Sequence, residues 1–519
     1  MSPKRLNAVM GALLLSLFLS SLDQTIVSTA LPTIVEKLGG FEQISWVFTV
    51  YMLSSTAIMP IVGKLSDMYG RKRFYIAGLF TFILGSALCG VAQDMTQLII
   101  FRGIQGLGAG GLMPITFTLI FTLMPQERAG KFQALFMGVF ALSSIVGPSL
   151  GAFITTYMSW RWNFYINLPL GLIAFGVLAW ALVETKDTAK KRKIDYAGAF
   201  WLITTTVLTL LALKLGGVSY PWGSWPILTL FAGGLAGLLM FLYTEKRAEE
   251  PILPLELFKN RTIAGSSAAT FLQGMIMFGS LLYIPIFIQG GLGGDAGDAG
   301  SALTPMMFSV MIGMLFSSAT MRFLSWRMST LLSMLLAGAG AFIVTLLPLD
   351  VNPWTLRADM LLLGIGIGIL MPISQMAIMT NAPARFQGVA ASTVSFFRSV
   401  GGVFGSAVMA VIVNRHMASS ISAEAPKLGI PADKLEAFTS PQVLLHAGHQ
   451  VPAPVLTMLK NALGDAVHTG FWLLVAAALT GIVVSLFMGR SRFDLEAHKR
   501  MQAASASASG ESKTAMDIG

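Results

Sequence analysis

Gly106 to Ile115 read Gly-Leu-Gly-Ala-Gly-Gly-Leu-Met-Pro-Ile, and Gly364 to Ile373 read Gly-Ile-Gly-Ile-Gly-Ile-Leu-Met-Pro-Ile. The two stretches share glycines at alternate positions and the same Leu-Met-Pro-Ile ending. The same offset relates Pro125 to Pro383 in the loops that follow. Two segments that keep register into a loop indicate an internal repeat, so we expect the chain to contain two related halves.

The composition is that of a chain whose solvent is mostly lipid. Hydrophobic residues make up 54% of the sequence and charged residues 12%, and that charged fraction is about half of what soluble domains carry. Apolar stretches of the ~20 residues needed to cross a hydrocarbon core recur along the chain. They lack the two-residue alternation of barrel strands and therefore predict helices. The predicted spans cover residues 7–31, 46–66, 73–92, 97–123, 132–157, 164–184, 196–216, 225–244, 262–290, 301–321, 328–349, 355–380, 388–415 and 467–489.

These spans predict an all-α membrane protein with fourteen transmembrane helices, arranged as two six-helix halves plus an inserted two-helix hairpin. We assign residues 1–185 to the N-terminal half and residues 186–260 to a linker that carries helices seven and eight. Residues 261–490 are assigned to the C-terminal half, with a long external loop over residues 416–466. Residues 491–519, rich in alanine and serine, are expected to form a disordered cytoplasmic tail.

The basic residues indicate how the chain is oriented. The net charge is +10, but Lys and Arg cluster in every second loop, for example at Arg71 to Arg73 and at Lys190 to Lys193. Such clusters mark the cytoplasmic side of a membrane protein and do not point to nucleic acid. We therefore expect a multi-pass protein of the cell (inner or plasma) membrane, with both termini in the cytoplasm. The single cysteine, Cys89, leaves a disulfide within one chain impossible.

The loop after the second span carries charges of both signs. It reads Gly63-Lys-Leu-Ser-Asp67-Met-Tyr-Gly70-Arg71-Lys-Arg73. Gly70 permits a tight turn, and Asp67 and Arg71 can pair with each other or with a helix terminus in the other half. Such a contact would exist in only one of two arrangements of the halves. The alternative is an ordinary basic cytoplasmic loop that happens to contain an acid.

Asp23 and Arg102 lie inside predicted membrane spans, where an ionised side chain usually faces a cavity or a partner. From the rise of a helix they lie ~12 and ~8 Å below the same membrane face, so they could be neighbours. A carboxylate beside a guanidinium in such a place can be poised to bind and release a proton. The alternative is a static ion pair that only holds two helices together. At the repeat offset, the position equivalent to Arg102 is Met360, so the second half has no such arginine.

The sequence resembles the major facilitator superfamily over essentially its whole length. The run from Gly63 to Arg73 is similar to the family's motif between the second and third helices, and Arg102 to Gly106 is similar to its fourth-helix motif. The fifth-helix motif found chiefly in antiporters is matched by Gly138, Gly147, Pro148 and Gly151. The sequence departs from the family in two places. Ala152 stands where the fifth-helix motif often has a second glycine, and Met321 to Arg327 is a degenerate copy of the loop motif.

Further runs resemble the fourteen-helix drug:proton antiporter branch of this family. They are Leu22 to Val27 in the first span, and Trp160 to Phe164 with Asn167 and Pro169 before the sixth. The resemblance implies a proton-coupled antiporter that exports small hydrophobic or cationic compounds by alternating access between two halves. The expected partners are the proton, lipophilic substrates and the lipid bilayer. With Asp23 as the one clear membrane acid, we expect one proton per cycle.

Other side chains could line the substrate cavity. Gln24 and Gln105 are polar groups inside spans, Arg398 falls near mid-membrane in the thirteenth span, and Met113 is an adaptable apolar side chain. Arg398 is at least as well explained by helix packing. Methionines and aromatic residues in such spans more often face lipid.

Alternative functions of the same chain are a metabolite or siderophore transporter of the same fold, and more distantly a receptor or channel. An enzyme is not expected, nor is any cofactor or metal. His446 and His449 could bind a metal, but two histidines in a loop are usually polar surface. One chain with an internal repeat is a complete transport unit, so we expect a monomer.

Overall fold

The computed structural model describes residues 3–39, 43, 46–124, 126–183, 193–217, 219–292, 296–348, 351–424 and 453–489. These ranges contain fourteen long helices and no β-strand. The helices are α1 Pro3–Leu38, α2 Trp46–Tyr69, α3 Arg71–Val91, α4 Met95–Leu123, α5 Gln126–Tyr157, α6 Asn167–Ala181, α7 Tyr196–Leu215, α8 Trp225–Arg247, α9 Arg261–Ile286, α10 Ala296–Phe323, α11 Trp326–Leu346, α12 Pro353–Asn381, α13 Gln387–Glu424 and α14 Ala453–Phe487.

Each predicted span corresponds to one of these helices. Thirteen helical segments are long and apolar enough to cross a bilayer, and α5 occupies the remaining predicted span. Large apolar side chains such as Phe80, Ile100 and Phe308 are more than half exposed, as expected for a surface that faces lipid chains. Because helices satisfy their own backbone hydrogen bonds, this architecture suits a membrane interior. The predicted all-α membrane fold is confirmed.

The repeated glycines make equivalent contacts in the two halves. A Cβ atom on Gly106 in α4 would collide with the backbone oxygen of Tyr51, and one on Gly364 in α12 would collide with that of Met306. The glycines one turn further along each helix, Gly110 and Gly368, lie equally close to α2 and α10. Small residues at these positions let the helix backbones approach closely.

The equivalence extends to the helix starts. Asp94 caps α4 by accepting a hydrogen bond from the backbone amide of Gln97 at 2.8 Å. Asn352, at the same repeat offset, caps α12 by accepting one from the amide of Trp354 at 2.9 Å. Side-chain oxygens satisfy amides that have no partner within the helix. The repeat is therefore present in the helix caps and the helix packing as well as in the amino-acid sequence.

The inserted helices pack at the junction of the halves. Helices α7 and α8 contact each other, and α7 also contacts α2 and α13, which belong to different halves. Contacts between the halves themselves join α2 and α4 to α13, and α5 to α10. The residue limits assigned to the two halves and the linker remain predictions.

The predicted external loop over residues 416–466 is wrong at both ends. Helix α13 continues to Glu424 and α14 begins at Ala453. Met417 and Ile421, one turn apart, are buried, as are Leu459 and Leu463. This helical spacing of apolar residues was present in the sequence, but it is too sparse to count as a membrane span. Residues 425–452, with His446 and His449, and the predicted tail over residues 491–519 lie outside the described residues.

Candidate transport site

The structure brings Asp23 of α1 and Arg102 of α4 into direct contact. Arg102 Nη1 donates a hydrogen bond to Asp23 Oδ2, and both side chains are completely buried. The depth calculated from helix rise placed these residues at similar levels, and the structure pairs them. A buried pair of this kind is stable only when its remaining donors and acceptors also find partners.

Most of those partners come from two amide side chains. Gln105 Nε2 donates to Asp23 Oδ1 at 2.8 Å, and its Oε1 accepts from Arg102 Nη1 at 2.8 Å. Asn167 Nδ2 donates to the same Oδ1 at 3.1 Å and to Ser86 Oγ at 2.9 Å. Asp23 thus accepts from an arginine on one oxygen and from two amides on the other.

Helix α2 also contacts Arg102. Arg102 Nε donates to the backbone oxygen of Val47 at 3.3 Å, and its guanidinium lies over the Tyr51 ring at 4.2 Å from the ring centre. Arg102 Nη2 is buried and has no hydrogen-bond partner in the described part of the chain. We call Asp23, Ser86, Arg102, Gln105 and Asn167, with Tyr51, the polar cluster.

Sequence reasoning identified only part of this cluster. Gln105 was singled out as a cavity residue, and the structure places it at the centre. Asn167 lay in a quoted run but was given no role, although an amide at the start of a membrane helix was a usable signal. Ser86 carried no signal, because serines are tolerated anywhere in membrane helices. Gln24 is exposed, and its Nε2 donates to the backbone oxygen of Ser20 within α1 at 3.5 Å.

The second half has apolar residues where the first has the polar cluster. The positions equivalent to Tyr51, Arg102 and Gln105 hold Met306, Met360 and Leu363. All of these apolar side chains are fully buried. A transport site at the cluster is therefore built from one half only.

The end of α2 and the first residue of α3 contact the start of α13 in the other half. Asp67 Oδ2 accepts hydrogen bonds from the backbone amides of Gly388 at 2.6 Å and Val389 at 3.0 Å. Arg71 Nη2 donates to Gln387 Oε1 at 3.2 Å and to Asp67 Oδ1 at 3.5 Å. A carboxylate at a helix N-terminus is favoured by free amides and by the helix dipole. We call these hydrogen bonds the gate contact.

Glycine permits the close packing behind the gate contact. A Cβ atom on Gly63 would collide with Ser392 of α13 and would lie 2.7 Å from the backbone oxygen of Gly388. Gly70 has a φ of 107°, a region that glycine enters without strain. Arg73 is exposed, and no hydrogen bond joins it to the gate contact within the described residues.

Helix α5 places its glycines against α1, next to the polar cluster. Gly147 packs on Thr25, and Gly151 packs on Thr29 and on the backbone of Ile26. Thr25 Oγ1 donates to the backbone oxygen of Ser143 at 3.1 Å. Further along α5, Gly138 faces Met311 of α10. The side chain of Pro148 lies outside the described part of the structure.

Comparison with known proteins identifies the family. The family model described as the Major Facilitator Superfamily matches residues 13–406. The chain belongs to the major facilitator superfamily. The predicted family, and a transporter in place of an enzyme, are both confirmed by this membership.

Curated members of the superfamily resemble the chain over nearly its full length. The Multidrug transporter protein MdtP of Bacillus subtilis is 37% identical, with 93% of each chain covered. Multidrug resistance protein 3 of the same organism is 38% identical, with 93% of this chain and 95% of that protein covered. A crystal structure of the human organic anion transporter MFSD10 (TETRAN) matches with a TM-score of 0.59 at 13% identity. It covers 93% of this chain and all of that chain, and it shows the shared fold.

An ion pair that the sequence did not suggest joins α2 of this transporter, close to the gate contact, to the inserted hairpin. Lys64 Nζ lies 2.7 Å from Glu250 Oε2. Lys64 is buried, and its ammonium also lies 5.2 Å from the centre of the Phe386 ring. Glu250 belongs to the segment that leaves α8. The pair therefore links α2 to the connection between the hairpin and the second half.

Arg398 lies apart from the polar cluster. It is buried in α13, and its Nε donates to Gln273 Oε1 at 3.4 Å. Gln273 in turn donates to the backbone oxygen of Ile367 at 2.6 Å. These contacts are those of a residue that joins α9, α12 and α13. Met113 packs against the large buried apolar cluster that contains residues of both halves. No group of three His, Cys, Asp or Glu side chains that could hold a metal occurs in the described ranges.

Proposed function

We propose that this membrane transporter is a proton-coupled antiporter that exports small hydrophobic or cationic compounds across the plasma membrane. The observation that carries the proposal is the buried Asp23–Arg102 pair. A carboxylate enclosed in this way is retained at a cost in stability, which favours a functional role. The Bacillus relatives named as multidrug proteins support the substrate class.

The geometry suggests how proton and substrate exclude each other. Asp23 accepts three hydrogen bonds, one of them from the arginine, and a proton bound there removes the negative charge that attracts Arg102. Release of Arg102 or Gln105 would change the packing of α1 against α4. A cationic substrate stabilises the ionised form of Asp23, and a proton removes that attraction. If Asp23 is the sole proton carrier, one proton moves per cycle and exchange for a monovalent cation is electroneutral.

Alternating access requires a contact that opens and closes. The gate contact joins α2 to α13 across the halves, so we assign this structure to the state that is closed on the gate side. The Arg71 to Arg73 cluster assigns that side to the cytoplasm, with both termini there.

The test is proton movement in proteoliposomes loaded with a pH dye. Addition of ethidium, a lipophilic cation, should drive protons out of proteoliposomes that contain the wild-type protein. In Asp23→Asn this proton flux should be lower by about tenfold or more. Glu36→Gln, which alters an exposed carboxylate on the same helix, should retain the wild-type flux. Equal flux in Asp23→Asn would place the proton site elsewhere. Ethidium movement without any proton flux would favour a facilitator of the same fold.

A further inference from the structure

A second buried carboxyl lies in the other half of the protein. Asp359 in α12 is 5% exposed, and neither of its oxygens has a hydrogen-bond partner among the described residues. The position follows the start of α12 by about two turns, which is ~10 Å along the helix. Sequence reasoning passed over this residue because it stands so close to the predicted end of the span. We propose that Asp359 is a second proton-binding group of the transport cycle.

The packing register places Asp359 against an apolar surface. Gly366 of α12 packs on Ala337 of α11, and Gly340 packs on Leu363 one turn further. Continuing the same antiparallel register by one more turn places Val344 opposite Asp359. Val344 is fully buried. The carboxyl therefore lies in the α11–α12 interface and not at a lipid or water surface.

The nearest arginine in the sequence is engaged elsewhere. Arg357 Nη2 donates to Ser301 Oγ of α10 at 2.8 Å, and its guanidinium lies 4.7 Å from the centre of the Trp354 ring. Because residues two apart on a helix point in different directions, Arg357 does not turn towards Asp359.

Charged and titratable groups on the neighbouring helices also leave Asp359 without an ionic partner. Helices α9, α10, α11 and α13 pack against α12. Their titratable and charged groups towards the Asp359 end of α12 are Tyr283 of α9, the exposed Asp298 of α10, and Arg415, His416 and Glu424 of α13. The only charged group in α11, Arg327, stands at its opposite end. In α13, Arg398 is bound to Gln273. None forms an ion pair with Asp359.

An ionised carboxylate without partners is strongly disfavoured in an apolar interior. Asp359 therefore holds a proton in this conformation, as a neutral carboxylic acid. A shift of α11 against α12 within the C-terminal half, which admits water to their interface during the cycle, allows the acid to dissociate into a carboxylate and a free proton. Each return to the present conformation binds a proton again. No other reactant is required for this step.

This inference rests on the proposed antiport for its coupling to substrate, but not for the protonation itself. If Asp359 releases its proton on the side opposite to the one from which it was taken, two protons move per cycle. Exchange of two protons for one monovalent cation transfers a net charge. Export would then respond to membrane potential as well as to the pH gradient.

The protonation is tested by infrared spectroscopy of the purified protein in lipid at neutral pH. Wild type should show the carbonyl stretch of a protonated carboxyl, and Asp359→Asn should lose it. Asp298→Asn, on the neighbouring helix, should keep the band, and Asp359→Glu should shift it. A wild-type spectrum unchanged by Asp359→Asn would overturn the proposal, and size-exclusion chromatography would verify that each variant is folded.

The coupling is tested by counting protons released per ethidium ion taken up in proteoliposomes. We expect two in wild type and one in Asp359→Asn, with the dependence on an imposed potassium diffusion potential lost in the variant. One proton per ethidium ion in both proteins would overturn the role of Asp359 in transport. Absence of proton flux in wild type, with the infrared band present, would instead contradict the proposed antiport and leave the protonation of Asp359 established.

Discussion

Lys64 of α2 and Glu250 of the α8–α9 connection form an ion pair at 2.7 Å, although 186 residues separate them in the chain. Lys64 stands between Gly63 and Asp67, the residues that contact α13. Helix α7 of the same hairpin packs on both α2 and α13. The inserted hairpin therefore contacts both helices that form the gate contact, and its exit segment is tied to α2.

We expect loss of this ion pair to weaken the closed state. Lys64→Met removes a buried ammonium, and Glu250→Gln removes its counter-charge. Because the Glu250 side chain is 33% exposed, we expect an effect of ~1–2 kcal/mol, which is roughly tenfold in the conformational equilibrium. Ethidium efflux from cells should fall in both variants. Recovery in the charge-exchanged double variant, Lys64→Glu with Glu250→Lys, would separate electrostatic attraction from packing. Failure of both single variants to alter efflux would contradict the role.

The gate contact can be probed through Ser392, which is buried beside Gly63. A Ser392→Cys protein should react slowly with a membrane-impermeant maleimide applied to the cytoplasmic side. Adding Asp67→Asn removes the charge that faces the amides of Gly388 and Val389, so we expect labelling several-fold faster, which corresponds to ~1 kcal/mol. Glu256→Gln, an exposed carboxylate change, serves as the control. Equal labelling rates in all proteins would show that the contact does not hold the gate closed.

Gly63 should not tolerate a side chain. Gly63→Ala introduces a Cβ atom that collides with Ser392, and overpacking of this kind costs ~1–3 kcal/mol. We expect slower efflux and a cytoplasmic side that closes incompletely. Ser392→Gly in the same protein should recover part of the activity, since the backbone oxygen of Gly388 remains 2.7 Å from the new Cβ position. A Gly63→Ala protein with full efflux activity would mean that α2 and α13 can lie further apart without loss of transport.

The polar cluster offers a test between a working proton site and a static ion pair. Arg102→Met copies the residue found at the equivalent position of the second half, Met360, and leaves Asp23 buried without its cation. We expect a loss of ~3–5 kcal/mol in stability, measured as a lower midpoint of thermal unfolding. Adding Asp23→Asn should restore much of the stability. Under the static interpretation the double variant also regains proton-coupled efflux, whereas we expect that it does not.

The sequence was sufficient for the parts of the structure that follow from depth and periodicity. Helix rise placed Asp23 and Arg102 at similar depths, and contact with a helix terminus was one of the two pairings open to Asp67 and Arg71. Contacts that depend on how distant helices pack were not accessible. Lys64 gave no indication of Glu250, and Asp359 could not be recognised as unpaired before the partners of Arg357 were known.

Helices α13 and α14 are much longer than a membrane requires. Their 38 and 35 residues correspond to ~57 and ~52 Å, against ~30 Å for the hydrocarbon core. The two helices pack together, and buried Met417, Ile421, Leu459 and Leu463 continue their interface. We therefore expect this pair of helices to extend beyond the hydrocarbon core on the side opposite the gate contact. Transporters of this size offer few particle features for electron cryomicroscopy. Such an extension would offer an epitope for antibody fragments, so that conformations differing in the gate contact could be aligned on a feature at the other end of α13.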